Sequence, residues 1–378
     1  MKYYIIAGEA SGDLHGSNLI KAILKNDPAA SIQCWGGDLM QQAGGHLVKH
    51  YRSLAFMGFV EVLMNLRTIL SNIAFCKKDI TAFEPDVLIC IDYPGFNLRI
   101  AKWAKKKGMK VVYFIAPQVW AWKENRVPSM RLSIDRLLCI LPFEKQYFKN
   151  RWDWEVDYIG HPLMEVIDAL EPLAHPLPLL KDQALIALLP GSRQQEIQKK
   201  LPIMLSVAKQ FPQEHFVVAQ APGIDSTWFN ALLPNLPNVH VVAANTYAIL
   251  QHSKAALVTS GTATLETALL NVPEIVCYKG NPITLALAKR FVKIKFIALV
   301  NLIMDKEVVK ELIQEDLTTT NLSIELKKLL EEPARQAAIK ADYAALKQAL
   351  TTGQKATEVA ANIIQETLDR RFISKAAR

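Results

Sequence analysis

The sequence predicts an α/β protein built from two successive doubly wound domains, each a parallel sheet covered by helices on both faces. Three observations predict it. Short β-branched runs alternate with amphipathic stretches through the first half; a Pro- and acid-rich passage interrupts them; the alternation then restarts. That rhythm marks βαβ units whose sheet is buried on both sides. A chain of 378 residues also exceeds one ordinary core and divides into units of roughly 150–200 residues.

In the first half, strands are expected at 3–7, 32–35, 87–91, 110–115 and 136–140, and helices at 14–25, 59–78, 97–107 and 142–149. The passage IGHPLMEVIDALEPLAHPLPLL (159–180) reads as the inter-domain connection. Strands resume at 184–189, in HFVVAQ from His215, and at 239–242, 256–259 and 274–278. The expected domains are 1–165 and 166–345, followed by an amphipathic helical tail, 346–378, with Val359, Ala360, Ile363, Ile364 and Leu368 on one stripe.

At 51% hydrophobic and 21% charged, the composition is globular rather than disordered. The net charge of +8 implies an anionic partner: nucleic acid, nucleotide or acidic lipid. Five scattered cysteines (34, 76, 90, 139, 277) with no C-x-x-C are expected as reduced, mostly buried thiols of a cytoplasmic protein. No signal peptide is read at the N-terminus, and no run of 18 apolar residues is present to span a bilayer.

Three strand-to-turn junctions end in small residues: AGEASGD (7–13), LLPGSRQQEI (188–197) and VTSGTATLE (258–266). In open α/β sheets, ligands lie beyond the carboxyl ends of strands, where free backbone N–H groups favour phosphate. None has the G-x-G-x-x-G or P-loop spacing, which disfavours a dinucleotide oxidoreductase. In the first, Glu9 stands where a phosphate would approach, followed by Ser11, Gly12 and Asp13. In the second, Pro190 and Gly191 stop a strand, Ser192 is placed to cap the next helix, and Arg193 offers a fork suited to a diphosphate. A plain turn with a surface arginine fits the same residues. In the third, Ser260, Gly261 and Thr262 open a helix, and Glu266 either accepts a ribose diol or completes a capping box.

LICIDYPGFN (88–97) sets Asp92 just past a buried strand, either as a general base or as the cap of the next helix. APQVWAWKENR (116–126) brings Trp120 and Trp122 to another strand end, where indoles stack on sugars, pack acyl chains or simply fill core. There is no H-E-x-x-H, no Cys/His cluster and no D-x-D, so neither metal nor cofactor is expected; DWEVD (153–157) reads as a strand or its edge. In FVEVLMNLRTILSNIAFC (59–76), Glu61, Asn65, Thr68 and Asn72 share an arc of roughly 60° at about 100° per residue. Apolar residues, Val60, Leu63, Met64, Leu66 and Leu70 among them, fill most of the remainder. Such breadth fits a helix dipping into an anionic bilayer face or one buried on both sides.

Together these stretches resemble one family, lipid-A-disaccharide synthase, nearly end to end. The resemblance rests on GEASGD (8–13), FMGFVEVL (56–63), IDYPGFN (91–97), PQVWAW (117–122), LPFEK (141–145), IGHP (159–162), LPGSR (189–193), SGTATLE (260–266) and VNLI with EVVKELIQE (300–315). It implies the GT-B fold, two Rossmann-like domains facing across a cleft, with the tail crossing back to the N-terminal domain. It implies an inverting, metal-independent transfer from UDP-2,3-diacylglucosamine to 2,3-diacylglucosamine 1-phosphate, giving the β-1,6 disaccharide and UDP. The enzyme would lie on the inner face of the inner membrane and use no nucleic acid. By the same resemblance Asp92 is the base; Glu9, which matches the N-terminal signature, is the second catalytic candidate on the reading of its turn. Arg193, Ser192, Gly191, Ser260, Gly261, Thr262, Glu266 and Asn301 serve the UDP donor. Ser11, Gly12, Asp13, Asn97 and Trp120 serve the acceptor side. Two departures stand out: Val300 replaces the family's proline before Asn301, and Gly95 replaces a second acid after Asp92. The alternative is another GT-B enzyme on a UDP-amino sugar, a peptidoglycan glycosyltransferase or a UDP-N-acetylglucosamine 2-epimerase.

Overall fold

The computed structural model describes residues 1–53, 66–280 and 295–376. The chain forms two compact units, Met1–Pro162 with Leu350–Arg378, and Leu163–Ala349.

In the first unit, β1 (Lys2–Ala7), β2 (Ser31–Gly36), β3 (His46–His50), β4 (Val87–Ile91), β5 (Lys110–Phe114), β6 (Arg136–Cys139) and β7 (Asp157–Tyr158) make one sheet. Its order is β3-β2-β1-β4-β5-β6-β7, and every pairing is parallel. The central strands are buried, save Lys2 at the start of β1, as the apolar runs VLICI and YYIIA require. Alternate residues feed opposite faces: Tyr4, Ile6, Leu88, Cys90 and Tyr113 on one, Ile5, Ile89, Ile91, Val112 and Phe114 on the other. The second face is covered by the helix Ala10–Asn26 through Leu19, Ile20 and Ile23, and by Ala360, Ile364 and Leu368 of the helix Ala356–Ala376. Each large side chain buried there contributes roughly 1.5–3 kcal/mol. Asn26 and Asn362 join the two helices at 2.8 Å, as do Lys25 and Glu358 at 3.1 Å.

The second unit repeats the design with β8 (Leu185–Leu189), β9 (His215–Gln220), β10 (Val239–Ala243), β11 (Ser253–Thr259), β12 (Glu274–Tyr278) and β13 (Lys310–Ile313). The order is β10-β9-β8-β11-β12-β13, again all parallel. In each sheet the winding reverses once, between β1 and β4 and between β8 and β11. Ligands of open α/β sheets bind at such reversals. All five cysteines are free and buried.

Several expectations need correction. The first helix starts at Ala10, not at residue 14, so Ser11, Gly12 and Asp13 form its first turn rather than a loop. The short strands β3, β7 and β13 stand at or near sheet edges and carry His, Lys, Asp or Glu. Edge strands tolerate charge, which hides them from a search for apolar runs; only the region of β7 was anticipated. The broad apolar helix is described from Leu66 to Phe83. Val60, Leu63 and Met64 lie outside the described residues, as does the Leu66 side chain, while Leu70 is 54% exposed. Asn72, assigned to the polar arc, is instead buried and accepts a hydrogen bond from Lys49 Nζ at 2.6 Å. Among the described residues no helix is long and apolar enough to cross a membrane.

Candidate functional site

At the reversal in the first unit, Glu9 and Asp92 follow the paired ends of β1 and β4, where Ala7 stands beside Ile91. Glu9 is the extended N-cap residue of the helix Ala10–Asn26, and its side chain caps nothing. Asp92 and Tyr93 are consecutive left-handed residues, φ 42° and 48°, a conformation that is strained for non-glycine side chains. The turn is held by its carbonyls. Tyr113 donates its hydroxyl to the Asp92 carbonyl at 2.6 Å, and the Asn97 amide donates to Ile6, Ile91 and Asp92 carbonyls at 3.3, 3.1 and 2.9 Å. The Asp92 carboxyl is thereby left to the site. Burial first, and then the negative charge of Glu9, push it up to about 6, against a hydrogen bond from the Tyr93 backbone that lowers it. A carboxylate of that strength suits proton abstraction near neutral pH. The helix after it is capped at Tyr93, without a side-chain bond, so Asp92 is not its cap.

At the reversal in the second unit, the turns after β8 and β11 border a cavity of about 280 Å³. Gly191 has φ 111° and Gly261 φ 151°, left-handed backbone that favours glycine. A Cβ on Gly191 would also sit 2.7 Å from Glu196 Oε2. Ser192, Ser260, Thr262 and Glu266 line the same cavity, as do Ala219 near the end of β9 and Ala221 and Pro222 beyond it. Glu266 Oε1 accepts the Tyr247 hydroxyl at 3.1 Å, and burial raises its pKa. The helix it belongs to is capped by Gly261 without a side-chain bond, so the capping-box reading fails. Thr259 Oγ1 is buried beside the cavity without a hydrogen-bond partner.

Other candidate residues stand elsewhere than expected. Ser192 does not cap the next helix, which begins at Gln194 with Arg193 at the N-cap. Arg193 is absent from the cavity wall; its exposed guanidinium pairs with Glu196 at 3.3 Å. Asn301, expected at the donor site, is fully buried. Its oxygen accepts the Val308 and Val309 N–H groups, and its amide donates to the Val309 carbonyl and to Glu311. Asp13 likewise spends both oxygens on the Gly37, Leu39 and Met40 N–H groups. Asn97 is buried under the Asp92 turn. Gly12 packs against Ala7, whose Cβ a side chain would meet at 3.1 Å. In this structure all four hold the local backbone in place. Ser11 is exposed. Trp120 is half-buried, and its indole donates to Glu144 at 3.0 Å. The fully buried Glu144 carboxyl is pushed up to about 7 by burial. Tyr113, Tyr247 and the turn after β9 had no motif to announce them, and Glu196, inside LLPGSRQQEI, was not singled out. Among the described residues no group of three His, Cys, Asp or Glu could hold a metal ion.

Comparison with known proteins adds an independent line. The chain matches the family model described as lipid-A-disaccharide synthetase over residues 3–365. It is 37% identical over 355 residues to the lipid-A-disaccharide synthase of Syntrophus aciditrophicus (strain SB), covering 92% of each chain. Among solved structures it is similar to the glycotransferase of kitacinnamycin, with TM-score 0.67, 14% identity and 97% and 98% of the two chains covered. It is also similar to the UDP-GlcNAc 2-epimerase of Neisseria meningitidis, with TM-score 0.66, 14% identity and 98% and 100% covered. At those identities the structural matches establish the GT-B fold alone.

Proposed function

The chain belongs to the lipid-A-disaccharide synthetase family, and from that premise we propose how its two reversal points divide one transfer. It is a glycosyltransferase of lipid A biosynthesis with a GT-B fold. In the proposed reaction the donor is UDP-2,3-diacylglucosamine and the acceptor 2,3-diacylglucosamine 1-phosphate. The acceptor 6-hydroxyl oxygen attacks the anomeric carbon of the donor, the bond from that carbon to the diphosphate oxygen breaks, UDP leaves, and the hydroxyl proton passes to Asp92. Attack opposite the leaving group gives the β-1,6 linkage.

The observation that carries this reading is the Asp92 carboxyl, raised by burial and by Glu9 to about 6. Its unstrained alternative, capping the next helix, is already filled by Tyr93. UDP is assigned to the cavity in the second unit. There, left-handed turns at Gly191 and Gly261 bare backbone N–H groups for the diphosphate, and the oxygen of Glu266 not bonded to Tyr247 accepts the ribose diol. Arg193, next in sequence to Ser192 of the cavity wall, turns to the phosphates. Glu9 receives acceptor hydroxyls, a task a carboxylate does well. Exposed Leu70, half-exposed Phe75 and the charge of +8 support a membrane-facing helix at an anionic surface, where acylated substrates reside.

The test is an assay of UDP release with diacylated donor and acceptor. Release is expected only when both are present, with a disaccharide 1-phosphate as product. UDP release that needs no acceptor, or that proceeds equally with unacylated sugars, overturns the assignment. Glu9→Gln is expected to slow transfer more than it weakens UDP binding. Polar replacement of Leu63, Leu66 and Leu70 is expected to reduce sedimentation with anionic vesicles.

A further inference from the structure

The loop after β5 carries two cations that the transfer chemistry so far leaves idle. Its base is fixed: the Ala116 N–H donates to the Leu138 carbonyl at 3.1 Å, and the Trp120 indole is tied to Glu144. Its tip turns back on itself through Lys123, a left-handed residue at φ 57°, into a single 3₁₀ turn, Glu124–Arg126. Lys123 Nζ lies 4.0 Å from the centroid of the Trp122 ring, and the Arg126 guanidinium 5.8 Å from the same ring. Two like charges are thus gathered on one half-exposed indole. The acid between them in sequence, Glu124, is drawn away, accepting hydrogen bonds from Tyr147 and from Arg151. No carboxylate pairs with Lys123 or Arg126 among the described residues. The cluster is linked to the Asp92 turn through Tyr113: the charge of Arg126 reaches the buried phenol whose hydroxyl holds the Asp92 carbonyl.

Gathering two unpaired cations is unfavourable unless an anion joins them. We propose that Lys123 and Arg126, with Trp122 as floor, form a subsite for the phosphate monoester of the acceptor. This deepens the reading given above and rests on it for the acceptor's identity. The indole offers a face for the sugar or its first acyl carbons, Arg126 a fork matched to phosphate oxygens, and Lys123 a mobile second charge. Anchoring the anomeric phosphate orients the ring so that its far hydroxyl meets Asp92. The subsite therefore selects phosphorylated over dephosphorylated acceptor.

The experiment is equilibrium titration of 2,3-diacylglucosamine with and without its 1-phosphate, in neutral detergent micelles, into the full chain and into Lys123→Ala, Arg126→Ala and Arg126→Lys. Wild type is expected to favour the phosphorylated form. Each alanine variant should reduce that preference by about 10-fold or more, as for a lost charge-assisted hydrogen bond. Arg126→Lys should restore part of it, and UDP affinity should be retained throughout. A preference unchanged in both alanine variants overturns the subsite. So does loss confined to sedimentation with anionic phospholipid vesicles, which would make the cluster a headgroup patch instead. The titration needs no turnover. Failure of wild type to transfer sugar would therefore strike the proposed reaction, while the binding ratio still decides the subsite.

Discussion

Where the first sheet reverses, between β1 and β4, the chain places two acids, Glu9 and Asp92. Where the second reverses, between β8 and β11, it places two glycines, Gly191 and Gly261, in left-handed turns around a cavity. The acids that do reach the second site are occupied, Glu196 by Arg193 and Glu266 by Tyr247. Asp92 has only a backbone N–H to lower its pKa, while burial and then a neighbouring negative charge raise it. One topology thus supports opposite electrostatics. The winding of the sheet decides where a ligand lies, and a few turn residues decide whether the place accepts protons or holds phosphate.

The largest expected effect breaks the acid half of this contrast. Asp92→Asn should lower turnover by about 10²–10⁴-fold with UDP affinity nearly intact; unaltered turnover would falsify its role as base. In the wild type kcat/KM should decline as pH falls below about 6, and the variant's residual activity should lack that limb. The same substitution sharpens the comparison through stability. The folded state binds the Asp92 proton more tightly than the unfolded chain, so this group makes stability fall as pH rises from its ordinary 3.8 to about 6. Asp92→Asn should therefore stabilise the protein at pH 7, by at most about 3 kcal/mol, and leave it unchanged near pH 3.5. Denaturant titrations at the two pH values measure this, and equal effects at both would remove burial as the cause. On the glycine side, Gly191→Ala forces a left-handed turn on alanine and presses on Glu196. It should weaken UDP binding by about 10-fold, as expected for roughly 1–2 kcal/mol of strain, without moving the pH profile. Smallest, Tyr247→Phe removes one hydrogen bond from Glu266 and should weaken UDP binding only a few-fold, for about 0.5–1.5 kcal/mol, read by calorimetry; a shift in the acid limb instead would blur the two sites into one.

Both sheets were legible in the sequence because their inner strands are apolar throughout: VLICI and LIALL leave little choice. The outer strands HLVKH and KELI were not, since a strand with a neighbour on one side only needs no continuous apolar run. The turns at Glu9, Asp92, Gly191 and Gly261 could be read from local order, because a strand end followed by small residues is a local pattern. The tasks of Asp13, Asn97 and Asn301 could not. Each is a polar residue in a conspicuous motif, yet Asp13 is spent on N–H groups 24 to 27 residues away, and Asn97 reaches a carbonyl 91 residues away. Such partners are invisible until the chain is folded. Tyr247 was missed for the complementary reason, having a distant partner and no motif at all.

The helix Ala356–Ala376 lies in the first unit although all of Leu163–Ala349 precedes it. On a ribosome the sheet face carrying Ile5, Ile89 and Phe114 must therefore wait, half clothed, while the whole second unit is made and closes on itself. The part of the molecule synthesised first is the part completed last, and in that interval its bare apolar face is where a chaperone would be needed and where misassembly would begin.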